Sequence, residues 1–93
     1  MAQWNFTIEG GTALREAIYN DDPRQTVECL HKCYQELYNK MLDEDKDYYQ
    51  FYIEDAIESL NACDEEYYDE DYINHYLQEF YYICDDVRSF VAL

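Results

Sequence analysis

The sequence predicts an all-α protein, an antiparallel bundle of three long helices with one short N-terminal helix and an extended N-terminal arm. The 93 residues include only 2 Gly and 1 Pro, too few for the tight turns of an all-β fold. Apolar residues also recur every three or four positions over three long stretches, which is the period of a helix face. A chain of this length is expected to form one domain, residues 1–93, around one modest core.

The first eleven residues are predicted to form the arm. Trp4, Phe6 and Ile8 alternate with polar residues, which is typical of a short strand or of an extended segment packed on helices. Because no second strand candidate follows, we expect no sheet.

Two helices are predicted next, at 12–20 and 23–42. Thr12 is the expected N-cap of the first. Asp22 is the expected N-cap of the second, and Pro23 suits its first position because that N–H needs no helical partner. The inner face of the second helix is expected to be Val27, Leu30, Tyr34, Leu37 and Met41. Glu36 precedes Lys40 by four residues, so this helix offsets part of its own charge.

The last two helices are predicted at 45–62 and 70–90. The inner face of the third is expected to be Tyr49, Ile53, Ala56, Leu60 and Cys63. That of the fourth is expected to be Ile73, Leu77, Phe80, Cys84, Val87 and Val91. A flanking apolar strip, Tyr72, Tyr76, Ile83 and Phe90, predicts that the fourth helix is central, and it also allows a homodimer.

The charge is the most unusual property of the sequence. There are 22 acidic and 6 basic residues, giving a formal net charge of −16, and after Lys46 the only Lys or Arg is Arg88. Such self-repulsion destabilises a compact state, so we interpret the acids as a binding surface for a basic nucleic-acid-binding protein. The same charge argues against direct binding of nucleic acid or of an anionic membrane.

We expect this surface to combine the acidic segments 43–47 and 64–71 with outward-facing residues of the last two helices. Tyrosine and phenylalanine among the acids add contact area, because aromatic side chains are enriched at interfaces. The predicted binding residues are Asp43, Glu44, Asp45, Asp47, Phe51, Glu54, Glu58, Asp64, Glu65, Glu66, Tyr67, Tyr68, Asp69, Glu70, Asp71, Glu79, Tyr82, Asp85 and Asp86.

In its small size, helical pattern and acidity over the whole chain, the sequence resembles the DNA-mimic inhibitors that phages and mobile elements use against restriction and CRISPR systems. These inhibitors share no common motif. The resemblance implies a protein that occupies the nucleic-acid groove of a defence nuclease or CRISPR effector. The composition is also compatible with small acidic immunity proteins that neutralise nuclease toxins, although none of their family motif is present.

Two further classes of function are alternatives. One is a structural or adaptor subunit that binds another chain through tyrosine-rich helix faces, with the acids serving only solubility. The other is a calcium sensor, because Asp43, Asp45, Asp47 and Glu54 have the spacing of EF-hand ligands. We expect no calcium site, since Tyr48 stands where such a loop needs Gly.

No enzyme motif is present, so we expect a protein that is not an enzyme and needs no cofactor. Cys29 and Cys33 lack the second ligand cluster of a zinc site, so we expect no metal. The N-terminus has no signal-peptide pattern and no long apolar run is present, which predicts a cytoplasmic protein without membrane spans, in a host cell if it is phage-encoded.

Overall fold

The structure is a computed structural model, and it describes residues 6–62 and 69–91. Its elements are β1 (Phe6–Ile8), α1 (Gly11–Tyr19), α2 (Pro23–Lys40), α3 (Asp43–Asn61), α4 (Glu70–Asp86) and β2 (Ser89–Val91). Four helices dominate these residues, and the predicted all-α class is confirmed. The two strands have three residues each.

Helix α2 occupies the centre of the fold, because it packs against α1, α3 and α4. The expectation that the fourth helix is central was therefore wrong. Tyr34 lies in the middle of α2 and is fully buried. Its ring meets Phe80 of α4 edge-on, with the ring centroids 5.2 Å apart, and its hydroxyl donates to the carbonyl of Tyr76. The predicted inner face of α2 is buried throughout.

Helices α3 and α4 are joined by two tyrosine–carboxylate hydrogen bonds. Tyr49, near the start of α3, donates its hydroxyl hydrogen to Asp86 at the end of α4. Tyr76, in the first half of α4, donates to Asp55 in the second half of α3, with 3.2 Å between the oxygens. Since the pairs join opposite ends, the two helices run in opposite directions.

The helix starts differ in part from the prediction. Asp22 caps α2 as expected, its side chain accepting from the Gln25 N–H at 3.2 Å. Thr12 is not the N-cap of α1, because that helix already begins at Gly11. Helix α3 begins at Asp43, two residues earlier than predicted, with three acids in its first turn. Negative charge there is favoured by the positive end of the helix dipole.

The N-terminal segment is a strand, and the expectation of no sheet was wrong. Strands β1 and β2 pair in parallel, with Phe6 opposite Ser89 and Ile8 opposite Val91. The partner strand lies within the stretch predicted as the end of the fourth helix. That helix ends at Asp86 because Arg88 takes a left-handed conformation, with φ 60°, which closes many helices.

The turn after β1 is fastened to α2 by Glu36 and Lys40. The Glu36 carboxylate accepts the backbone N–H groups of Glu9 and Gly10. The Lys40 ammonium donates to Glu36 at 2.9 Å and to the Thr7 carbonyl at 2.8 Å. These contacts hold β1 against the central helix.

Candidate protein interaction site

Charge is divided unequally between the helices. Helix α3 contains seven carboxylates and one Lys, and α4 contains five carboxylates with neither Lys nor Arg. Helix α2 contains two carboxylates and three basic residues, Arg24, Lys32 and Lys40. The lysine of α3, Lys46, has its ammonium over the Tyr38 ring, 5.4 Å from the centroid. The described part of the chain therefore has a strongly acidic pair of helices beside a nearly neutral one.

A groove of about 690 Å³ lies between α3 and α4. On the α3 side, Tyr48, Tyr52 and Asp55 share one helix face, because they are spaced by four and three residues. On the α4 side, His75, Glu79 and Tyr82 repeat the same spacing. Its other lining residues are Tyr49, Phe51, Gln78 and Ile83. We call this the aromatic groove.

Four of the aromatic side chains in this groove are largely exposed. The exposed fractions are 73% for Tyr48, 77% for Phe51, 52% for Tyr52 and 69% for Tyr82. The Phe51 and Tyr52 rings stand edge to face with centroids 6.0 Å apart. A run of exposed aromatic surface bordered by polar residues is typical of a protein interaction site.

Carboxylates lie inside the groove as well as around it. Burial raises the pKa of Glu79; His75, whose Nε2 lies 3.6 Å from the carboxylate, lowers it, and the charge of Asp55 raises it further. The net effect is a raised pKa of Glu79, which means that its surroundings do not fully compensate the negative charge of the ionised form. Added positive charge in this part of the groove would be stabilised.

A second group of carboxylates lies at the end of the groove near Tyr49. Burial raises the pKa of Asp45, and the charges of Asp86 and Glu44 raise it further. The pKa of the Tyr49 hydroxyl is also raised, first by burial and then by its hydrogen bond to Asp86. This end therefore holds like charges close together.

The structure brings only some of the predicted binding residues to this groove. Phe51, Glu79 and Tyr82 line it, and Asp45 and Asp86 lie beside Tyr49. The structure places four further predicted residues on the exposed surface without a place in the groove lining: Asp43, Glu44, Asp47 and Asp85.

Other predicted residues lie outside the lining of the aromatic groove. Glu54 and Glu58 line a separate groove against His31 of α2. Asp69 caps the start of α4, followed by exposed Glu70 and Asp71, and Glu70 lines a third groove. The predictions for Asp64, Glu65, Glu66, Tyr67 and Tyr68 lie outside the described residues.

Seven lining residues were not among the predicted binding residues, and four of these belong to the two stripes: Tyr48, Tyr52, Asp55 and His75. The signal that could have found them is the spacing of 48, 52 and 55 on one helix and of 75, 79 and 82 on the next. Two matching polar–aromatic stripes on consecutive helices predict a shared groove.

The residues of the alternative calcium site and of the homodimer strip have other places in the structure. Residues 43–54 are helical from Asp43 onward, so they cannot form a calcium-binding loop. The strip expected to allow a homodimer is partly in the protein's own core, because Tyr76 and Ile83 are buried.

Burial raises the pKa of Cys33 to about 12 and that of Cys84 to about 11, which keeps both thiols protonated and unreactive.

Within residues 6–62 and 69–91, no group of three or more His, Cys, Asp or Glu side chains is placed to hold a metal ion. In the same part of the chain, no helix has the length and apolar character needed to cross a membrane. Comparison of the sequence with protein-family models, and of the protein with curated proteins and solved structures, finds no match in any of the three.

Proposed function

We propose that this protein is a DNA-mimic inhibitor that binds the nucleic-acid groove of a basic protein, such as a defence nuclease or CRISPR effector, in the cytoplasm of a host cell. It acts by binding and not by catalysis. The observation that carries the proposal is the acidity of α3 and α4, where twelve carboxylates are accompanied by one Lys. A basic groove attracts such a surface at long range.

The density of charge supports the comparison with DNA. Helix α3 has 19 residues, which corresponds to roughly 28 Å at about 1.5 Å per residue. Duplex DNA of that length carries roughly 16 charges, at one per about 1.7 Å. The twelve carboxylates of α3 and α4 are of the same order, and an antiparallel bundle would hold them in fixed positions.

Neutralising variants test the proposal. Asp47→Asn combined with Glu58→Gln removes two exposed charges from α3. The control, Glu16→Gln with Asp21→Asn, removes two exposed charges from the α1 region. The measurement is displacement of labelled duplex DNA from a basic partner captured from the native host. We expect roughly fivefold weaker displacement for the α3 variant, because each exposed ion pair contributes about 0.2–1 kcal/mol.

The control variant is expected to displace DNA as well as the unaltered protein does. Equal losses for both variants would mean that only total charge matters. A captured partner that keeps its DNA at saturating amounts of the unaltered protein would overturn the proposal.

An adaptor subunit is the second candidate, and the exposed aromatic residues favour it. Tyr48, Phe51 and Tyr82 are each more than two-thirds exposed. An interface made by these rings alone would bind almost equally at low and high salt. A DNA mimic would lose affinity steeply as ionic strength rises.

A further inference from the structure

We propose that the aromatic groove between α3 and α4 binds an arginine-bearing segment of the basic partner, a specific mode of recognition that rests on the proposed function. The structure supports it through three features: exposed aromatic side chains, carboxylates next to them, and a groove lining without Lys or Arg. Bulk acidity alone would attract any positive surface. The groove adds selection for one kind of side chain.

The exposed rings suit a guanidinium group. Arg stacks on aromatic faces, and its planar group is more weakly hydrated than the ammonium of Lys. Tyr48, Phe51, Tyr52 and Tyr82 line the groove, and each is more than half exposed. The groove volume of about 690 Å³ is within the range of ligand pockets, roughly 300–1,000 Å³, so it can receive more than one side chain.

Carboxylates complete the recognition of an arginine. Asp55 and Glu79 line the groove from opposite helices, and both can accept hydrogen bonds from a guanidinium. Among the described residues, none of those lining the groove is Lys or Arg. The basic side chain in the lining is His75, 3.6 Å from Glu79, and an arginine from another molecule would add a permanent positive charge beside both carboxylates.

Charge also decides between a second copy of this chain and a basic segment as the occupant. A second copy would bring another α3 and α4, with their excess of carboxylates, against the same acids. Like charges placed across an interface are strongly unfavourable. A basic segment satisfies both the rings and the carboxylates.

The spacing of the carboxylates predicts a pattern in the partner. One group, Asp45 with Asp86, lies beside Tyr49, and the other is Asp55 with Glu79. Positions 45 and 55 of one helix are separated by roughly 15 Å, at about 1.5 Å per residue. An extended peptide advances about 3.3 Å per residue. Two arginines four or five positions apart would therefore reach both groups.

The probe is an acetylated and amidated pentapeptide with arginine at both ends and glycine and serine between them. Its binding to the 93-residue protein is measured by calorimetry in low salt, and its position by amide chemical shifts. We expect shifts for residues lining the aromatic groove. The same peptide with lysine should bind less tightly, and the peptide with neutral citrulline should not bind.

Two pairs of variants locate the site. Phe51→Ala with Tyr82→Ala removes two exposed rings and should weaken arginine-peptide binding about tenfold, since each exposed cation–π contact contributes roughly 0.5–1 kcal/mol. Tyr19→Ala, at an exposed tyrosine on α1, is the aromatic control and should have no effect. Asp55→Asn with Glu79→Gln should also weaken binding, whereas Glu16→Gln with Asp21→Asn, at two exposed acids of the α1 region, should not.

Equal binding of the arginine and lysine peptides, or full binding by the Phe51→Ala and Tyr82→Ala variant, would overturn arginine selection by this groove. Absence of peptide binding at low salt would do the same. DNA displacement by the unaltered protein is measured separately, so it can succeed when the groove inference fails. Peptide binding in a protein that does not displace DNA would instead contradict the inhibitor function.

Discussion

Asp45 and Glu36 show how the surroundings of single carboxylates affect the stability of this acidic chain. Burial, together with the charges of Asp86 and Glu44, raises the pKa of Asp45 above its ordinary 3.8. Burial also tends to raise the pKa of Glu36, but hydrogen bonds from Lys40 and from two backbone N–H groups outweigh it and lower the pKa below the ordinary 4.5. The two groups therefore contribute to stability with opposite pH dependence.

At Asp45 we expect neutralisation to stabilise the fold. A group with a raised pKa contributes its stability below its ordinary value of 3.8 and loses it as the pH rises through the folded pKa. Asp45→Asn should therefore be more stable than Glu44→Gln at pH 7, as measured by urea unfolding. Glu44→Gln is the control because it removes a charge from the same first helical turn. The difference should shrink as the pH falls to about 4.

At Glu36 we expect the reverse. A lowered pKa means that the ionised group stabilises the fold above 4.5, and that this contribution is lost as the pH falls through the folded pKa. Glu36→Gln should cost about 1 kcal/mol at neutral pH, because hydrogen bonds to a charged acceptor are lost. The loss should disappear in strong acid. A constant difference at every pH would contradict the assigned cause.

At the scale of elements, helical periodicity predicted the core but not the strands. The inner faces of α2 and α3 follow the expected spacing because a helix must bury one stripe, and every described member is buried. Strand β2 was missed because no local sequence pattern indicates it. Two residues, Val87 and the left-handed Arg88, separate it from α4, and its pairing with β1 joins residues more than eighty positions apart.

The placement of the candidate site was predictable only in part. Phe51 and Tyr82, predicted because aromatic residues among acids favour an interface, line the aromatic groove. Glu54 and Glu58 were predicted for the same surface but line a separate groove, because helix spacing gives a face but does not say which neighbour that face meets. Which neighbour the face meets is decided by the packing of α2 against α3.

The attachment of β1 to α2 should depend on Lys40. Lys40→Met removes the donor to the Thr7 carbonyl and to Glu36. We expect amide hydrogen exchange across residues 6–10 to become about tenfold faster, since hydrogen bonds made by charged groups contribute roughly 1.5 kcal/mol or more. Exchange in α3 should not change. Lys32→Met, at an exposed lysine on the same helix, is the control.

If exchange in residues 6–10 is the same in both lysine variants, the strand is held without Lys40, by its pairing with β2 and by the hydrogen bonds to Glu36. If α3 exchanges faster as well, Lys40 stabilises the whole fold and not one element.

At the scale of the whole molecule, the fold separates a nearly neutral α2 from the acidic α3 and α4. Among the described helices, the excess of carboxylates therefore lies on α3 and α4, the two helices that form the aromatic groove. Concentrated charge steers association with a basic partner, and exposed rings give it short-range contacts. DNA mimicry would thus use the charge of α3 and α4 at long range, and arginine recognition would use the groove between the same two helices at short range.

The most direct measurement is an equilibrium competition in which the captured basic partner is held with labelled duplex DNA and the unaltered protein is added. DNA mimicry predicts mutual exclusion, with all of the DNA released and the midpoint rising in proportion to the DNA concentration. A ternary complex of partner, DNA and this protein would contradict it, because two ligands cannot occupy one groove.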